Sequence, residues 1–229
     1  VYLDKEYYIT LMTTPSNLEF LVVGHLKSEG IIQTLEDVSS LEIDVQGHRC
    51  DVSLSTKYVS KSNNRAKILS SACGSSASID KQDIKNIIVT STQEFSLKKI
   101  FDEVANFNKE SILFKETGGV HSVKLIYDDN ELFVEDIGRH NAVDKAVGFM
   151  LKNNITTENK YIISSGRISS DILLKCATSG IALIVSRSAP TSLCINLATE
   201  VGVTVLGFAR GSKVNIYTHG ERIGKEDIQ

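Results

Sequence analysis

The chain predicts an α/β sandwich, helices packed against a mixed sheet. From Arg139 onward its apolar pattern runs helix, strand, helix, strand, helix, strand, an alternation that buries a sheet beneath helices. Three apolar β-runs, Tyr161-Ile162-Ile163, Ala182-Leu183-Ile184-Val185 and Val203-Thr204-Val205-Leu206, each lead into a loop of serine, glycine and arginine. Upstream, Leu97, Ile100, Phe101 and Val104 recur at helical spacing, with Lys98, Lys99, Asp102 and Glu103 on the other side.

Taken in order, Tyr7 to Thr13 reads as a strand ending at Thr14-Pro15. A helix follows from about Ser16, with Leu18, Leu21, Val22 and Leu26 on one face and Gly30 near its stop. Leu41 to Val45 and Cys50 to Leu54 flank Gln46-Gly47-His48 as a hairpin. Between Ser60 and Asp80, serine and asparagine dominate and large apolar residues are few, so most of it is loop. Ile84 to Val89 is apolar but too short to assign. Ser96 to Phe107 is the amphipathic helix, and a second hairpin turns at Asp128-Asp129-Asn130. Leu132-Phe133-Val134 then hands over at Gly138 to a helix from about Arg139 to Leu151. The expected division is a smaller α+β lobe over 1–60, a mobile loop carrying Cys73 over 61–80, and an α/β domain over 81–229.

With 41% hydrophobic and 23% charged residues in 229, the chain has the composition of an ordinary globular protein with a substantial core. A net charge of −3 supplies no overall field for nucleic acid or an anionic membrane. No apolar stretch reaches the roughly 18 residues of a membrane helix, and the start does not resemble a signal peptide. The first residue is Val1, so the extreme N-terminus is read as trimmed. Cys50, Cys73, Cys176 and Cys194 have no C-x-x-C spacing and fit a reducing, cytoplasmic setting better than a disulfide framework. Cys176 and Cys194 sit in apolar runs and read as core residues. Cys50 lies on a β-ribbon between Arg49 and Asp51 and is uninformative. Cys73 lies in Ser70-Ser71-Ala72-Cys73-Gly74-Ser75-Ser76-Ala77-Ser78, which offers nothing to bury, so its thiol is expected to be accessible. An incidental surface cysteine is the alternative.

The run Glu135 to Lys145 packs six ionisable side chains (Glu135, Asp136, Arg139, His140, Asp144, Lys145) around Gly138 and Asn141. Arg139, Asn141 and Lys145 can donate to anionic oxygens, and a helix beginning at Arg139 would add free amides and a positive dipole end. A salt-bridged helix start, with Asp136 and Asp144 paired to the arginine and lysine, accounts for the same residues. Three further loops have a similar make-up. They are Ser164-Ser165-Gly166-Arg167-Ile168-Ser169, Ser186-Arg187-Ser188-Ala189-Pro190-Thr191 and Gly207-Phe208-Ala209-Arg210-Gly211-Ser212-Lys213. Each would sit at the carboxyl end of a strand, where open α/β sheets bind ligands. Four such loops predict an anionic ligand, a nucleotide with several phosphates being one candidate. The chain has no P-loop, no strand-linked G-x-G-x-x-G and no deaminase zinc signature. His25, His48 and His219 lack ligand-like neighbours.

Together these segments resemble the FdhD/NarQ family of formate dehydrogenase accessory sulfurtransferases. The similarity begins with Leu11-Met12-Thr13-Thr14-Pro15-Ser16-Asn17-Leu18-Glu19 and Ser28-Glu29-Gly30-Ile31-Ile32. It continues through Thr117-Gly118-Gly119-Val120-His121, the Glu135–Lys145 run, Ser165-Gly166-Arg167, Ser186 to Leu193 and Gly207 to Gly211. The resemblance implies a cytidine-deaminase-like three-layer α/β/α fold without zinc, a homodimer, and a cysteine desulfurase as sulfur donor. Its implied substrate is the molybdenum bis(molybdopterin guanine dinucleotide) cofactor, sulfurated for formate dehydrogenase. The family's loop is of C-G-x-C-G type. Cys73-Gly74 matches its beginning, but Ser75 and Ser76 stand where a second cysteine is expected. A single persulfide on Cys73 remains chemically sufficient.

By the same resemblance Phe208, Ala209, Arg210, Gly211, Ser212 and Lys213 hold the guanine-nucleotide portion. Phe208 would stack or form a wall, Arg210 and Lys213 would meet phosphate, and Gly211 would allow close backbone approach. A core aromatic ending a strand is the alternative for Phe208. Arg139, His140, Arg167 and Arg187 are assigned to the pterin and phosphate regions, and His121 with Gly118-Gly119 to the mouth near the incoming sulfur. Two other functions compete with sulfur transfer: a cofactor chaperone without sulfur chemistry, and, more distantly, a deaminase-like hydrolase.

Overall fold

Residues 1–56, 67–69 and 87–224 are described by the computed structural model. Three short strands come first, β1 (Tyr2–Leu3), β2 (Glu6–Tyr7) and β3 (Ile9–Leu11), then helix α1 (Leu18–Ser28). The expected first strand is broken at Tyr8, because the amides of Tyr8 and Ile9 both donate to the Val1 carbonyl. The hairpin β4 (Val38–Asp44) and β5 (Arg49–Leu54) follows as expected, and β6 (Lys67–Leu69) pairs in parallel with β3. Strand β6 thus lies inside the stretch 61–80 expected to be loop, while Cys73 and the other residues of that stretch lie outside the described residues.

Helix α2 (Leu97–Glu110) starts at Ser96, whose hydroxyl accepts the Lys99 amide. A short helix α3 (Ile112–Thr117), without apolar periodicity to announce it, comes next. Then come the hairpin β7 (His121–Tyr127) and β8 (Asn130–Asp136), and helix α4 (Arg139–Lys152). The alternation ends with β9 (Lys160–Ser164), α5 (Ser170–Thr178), β10 (Leu183–Ser186), α6 (Ser192–Val201), β11 (Thr204–Arg210) and β12 (Lys213–Thr218).

Among the described residues the main sheet has the order β12-β11-β10-β9-β7-β8. Strands β9, β10 and β11 are parallel, while β7, β8 and β12 pair antiparallel with their neighbours. Burial on both faces explains why the parallel strands read as continuous apolar runs. One face carries Val123, Leu125, Ile162, Ile184 and Val205 against α4, α5 and α6. The opposite face carries Ile126, Tyr161, Ile163, Leu183 and Leu206 against Ile100, Val104 and Phe107 of α2. On that second face Lys124 is buried with its ammonium 2.8 Å from each of Glu103, Glu110 and Glu131.

A smaller sheet, β2-β1-β5-β4, packs Leu3, Cys50 and Val52 against Val22, Val23 and Leu26 of α1. The other side of α1 lies directly on α4. A β-carbon at Gly24 would fall 1.8 Å from the Asp144 carbonyl oxygen, and one at Gly148 would fall 1.9 Å from that of Phe20. Only glycine permits that approach. With partners on two sides, α1 is buried all round from Leu21 to Leu26 rather than along the single apolar face its sequence suggests. No helix among the described residues is long and apolar enough to cross a membrane.

Candidate functional site

Strands β9, β10 and β11 run in parallel and therefore end on one edge, and their loops are tied together there. The Arg187 amide donates to the Ser164 carbonyl at 3.1 Å, and Phe208 N to the Ser188 carbonyl at 3.1 Å. Arg210 Nε donates to the Arg187 carbonyl at 3.3 Å. Two serine hydroxyls make the loops rather than face outward. Ser164 Oγ accepts the Gly166 amide, and Ser186 Oγ donates to the Gly166 carbonyl while accepting the Ser188 amide.

The last part of β11 contains a bulge, with a register shift against β12 between Gly207 and Arg210. Within it Phe208 adopts φ +55°, a conformation rare for an aromatic residue. The consequence is that Ala209 is buried while the Phe208 ring is 44% exposed, so the core-aromatic alternative does not hold. Arg210, Gly211, Ser212 and Lys213 are exposed beside it, as is Arg167 on the β9 loop. Arg187 is half-buried, and burial, then the nearby Arg210 charge, hold its pKa below the usual guanidinium value. Two guanidinium groups close enough to disfavour each other favour an anion between them.

The start of β7 reaches the same edge, because β7 is antiparallel to β9 with Val123 opposite Ser164. There the Ser122 amide donates to Ser165 Oγ at 3.0 Å, and that oxygen is 3.5 Å from His121 Nδ1. Arg139 arrives from the first turn of α4. Burial, followed by the Arg139 charge, lowers the His121 pKa. Burial, then Arg139 and Lys175, push His140 down to about 4. Both imidazoles are thus neutral at neutral pH, and the positive charge beside His121 is that of Arg139. His140 Nε2 lies 3.5 Å from Ser169 Oγ and 3.9 Å from Asp171 Oδ2. Among the assigned residues that the structure describes, His121, Arg139, His140, Arg167, Arg187 and 208–213 therefore belong to one edge.

Asn141 and Lys145 do donate to an anionic oxygen, but it belongs to the chain's own buried Asp136 rather than to a ligand. Lys145 Nζ lies 2.7 Å from Asp136 Oδ2 and also donates to Thr14 Oγ1 and the Glu135 carbonyl. Asn141 Nδ2 donates to Asp136 Oδ1 at 2.9 Å and to the Met12 carbonyl at 2.7 Å. The Asp136 carboxylate further accepts from the Gly138 and Thr14 amides and the Thr13 hydroxyl. A carboxylate with no solvent contact needs such saturation. Asp144 is likewise internal, bound to Lys175, Ser28 and His25 across α5 and α1. The salt-bridge alternative thus holds for Asp136 with Lys145, while the partner of Asp144 is Lys175. The loop of Ser165 and Gly166 was expected at this edge, but the closing of Thr13 and Thr14 over Asp136 and the bonding of Ser165 to the start of β7 were not. Contacts this distant in sequence have no periodicity that would reveal them.

The three cysteines within the described residues are buried, and burial pushes their thiols up, Cys50 to about 11 and Cys194 to about 12, with Cys176 also raised. None is suited to nucleophilic work.

The FdhD/NarQ family model matches residues 1–224. A sulfur carrier protein FdhD from Listeria monocytogenes serotype 4b (strain F2365) is 39% identical over 232 residues, covering 97% of this chain and 88% of the relative. The sulfur carrier protein FdhD of Staphylococcus haemolyticus (strain JCSC1435) is 41% identical over 221 residues, covering 94% and 83%. Among solved structures, one assigned as a formate dehydrogenase accessory protein from Desulfotalea psychrophila superposes with a TM-score of 0.79 at 26% identity. That match covers 97% of this chain and 86% of the other.

Proposed function

Given that the chain belongs to the FdhD/NarQ family, we propose that it is a sulfur carrier in formate dehydrogenase maturation. Cys73 accepts sulfur from a cysteine desulfurase, and the acceptor is the molybdenum bis(guanine dinucleotide) cofactor, bound as substrate. The observation that carries this reading is the gathering of Arg139, Arg187, Arg210, Lys213 and the outward Phe208 ring on one sheet edge. Guanidinium groups and an exposed aromatic suit pyrophosphates and a purine ring. His121 and His140, held neutral, add hydrogen-bonding groups without adding charge.

In the loading step the Cys73 thiolate attacks the outer sulfur of the donor's persulfide. A new S–S bond forms at Cys73, the donor's S–S bond breaks, and the donor cysteine leaves as a thiolate, with no net redox change. The buried, raised thiols of Cys50, Cys176 and Cys194 make them poor competitors. Leu69 pairs with Leu11, two residues before Thr13, which bonds Asp136 opposite His121. Cys73 follows Leu69 by four residues, a covalent span of at most about 14 Å. The reading further includes a cytoplasmic homodimer.

Intact-mass spectrometry after incubation with a cysteine desulfurase and cysteine tests it, wild type beside Cys73→Ala. One added sulfur on the wild type alone is expected. No uptake, with the desulfurase active, would instead favour a cofactor chaperone, a reading motivated by Ser75 and Ser76 where a second cysteine is expected.

A further inference from the structure

Gly166 lies between the Arg139 side chain and the His121 ring. A β-carbon built there would be 3.2 Å from Arg139 Cβ, 3.3 Å from its Cδ and 3.2 Å from His121 Nδ1. Carbon contacts are ordinarily about 3.5–4.0 Å, so any side chain at 166 obliges a neighbour to yield. Gly166 is itself pinned. Its amide donates to Ser164 Oγ at 3.2 Å, and its carbonyl accepts the Ser186 hydroxyl at 2.7 Å. These bonds fasten it to the ends of β9 and β10. The Arg139 backbone is equally restrained, since Gly138 N and Asn141 Nδ2 both bind the buried Asp136 at 2.9 Å. His121 opens β7 in register with Asp136. With both backbones held, the crowding falls on the Arg139 and His121 side chains.

We propose that Gly166 is a positioning residue of this site. The absence of a side chain there sets how closely the Arg139 guanidinium and the His121 imidazole approach, and so the geometry in which they receive an anionic group of the substrate. The binding consequence rests on the anion-site reading above; the geometric claim does not. The charged and titratable groups around His121 are Arg139, Asp136 and His140, with the Ser165 hydroxyl at 3.5 Å. Gly166 is not at a positive φ, so alanine fits its backbone and only the contacts change.

The test is a cycle of four full-length proteins: wild type, Arg139→Ala, Gly166→Ala and the double variant. Each is checked for an unchanged melting profile and titrated by NMR at His121, whose signals are assigned from their loss in His121→Gln. Removing Arg139 should raise the His121 midpoint in the wild type, and raise it by less than half as much when alanine occupies 166. Calorimetry with inorganic pyrophosphate on the same proteins should show Gly166→Ala weakening binding roughly tenfold, and less than twofold once Arg139 is gone. An Arg139 effect on His121 that is equal in both backgrounds overturns the proposal, whatever pyrophosphate does. Unequal effects in a wild type that ignores pyrophosphate support the positioning role and overturn the anion-site reading instead.

Discussion

Replacing Lys124 by methionine keeps most of the side-chain volume and removes one charge from beneath α2. The lysine side chain is 2% exposed, and its ammonium is 2.8 Å from carboxylates of Glu103, Glu110 and Glu131, which are 19%, 28% and 53% exposed. The contact with Glu131 is half in solvent and contributes little. Glu103 and Glu110 are the costly pair, because without the cation two poorly solvated carboxylates face each other. Breaking a buried ion pair typically costs 3–5 kcal/mol. With partial exposure of the acids, a loss of about 3 kcal/mol is expected. At roughly 2–4 °C per kcal/mol for a domain this size, the melting temperature should fall by about 6–12 °C at pH 7.5.

The pH dependence separates repulsion from lost packing. Burial alone would lower the Lys124 pKa, but the hydrogen bonds to Glu103, Glu110 and Glu131 together outweigh it and raise the value. A raised lysine contributes stability below its ordinary pKa of 10.5 and loses it only as pH rises through the folded value. Lys124 itself therefore stays charged throughout the acid range, and any change in the gap there comes from the carboxylates around it. Toward pH 4.5 the carboxylate repulsion in the variant is relieved, so the gap between the two melting curves should narrow. Scanning calorimetry at pH 4.5, 6 and 7.5 measures this. A gap under about 2 °C at pH 7.5, or one constant across the series, refutes the reasoning.

Gly24→Ala places a β-carbon 1.8 Å from the Asp144 carbonyl oxygen. Separating α1 from α4 should cost at least the 1–3 kcal/mol typical of overpacking, read as a lower urea midpoint. For His140, whose pKa is about 4 when folded and about 6.5 when unfolded, the unfolded chain binds more protons between those values. Stability thus falls as pH drops from 6.5 to 4, by about 3 kcal/mol from this residue, and His140→Gln should show correspondingly less acid loss in denaturant titrations. Cys73→Ala should resist iodoacetamide at pH 8 while native and label at Cys50, Cys176 and Cys194 once unfolded, because their thiols are buried and raised. Fast native labelling would remove the basis for a single reactive cysteine. Phe208→Ala, which truncates an exposed ring, should leave the melting temperature within about 1 °C and weaken GDP binding roughly tenfold.

The strand and helix order from Arg139 to Thr218 was legible because each element there is set by local periodicity and by a loop of distinctive chemistry. The runs Tyr161–Ile163, Ala182–Val185 and Val203–Leu206 also placed the Ser164, Ser186 and Gly207 loops at the carboxyl ends of their strands, and the parallel pairing found in the structure puts those ends on one edge. Burial of Cys176 and Cys194 followed from apolar neighbours alone. Three things were not legible. Asn141 and Lys145 looked like anion donors, yet they serve a carboxylate that becomes buried only when Thr13 and Thr14, more than a hundred residues earlier, close over it. Glycines 24 and 148 carry no signal in their own segments, because a helix crossing belongs to two segments at once. The outward turn of Phe208 depends on a bulge that strand propensity does not encode.

By itself, then, the amino-acid order determined the elements from Arg139 onward, their alternation and the cationic character of their loops, because those follow from side-chain spacing along a few turns or one strand. Only the tertiary structure decided which charges face solvent and which are neutralised inside, and how near Arg139 comes to His121. A charge's fate depends on its desolvation and on the partner that meets it, and both are set when distant segments pack.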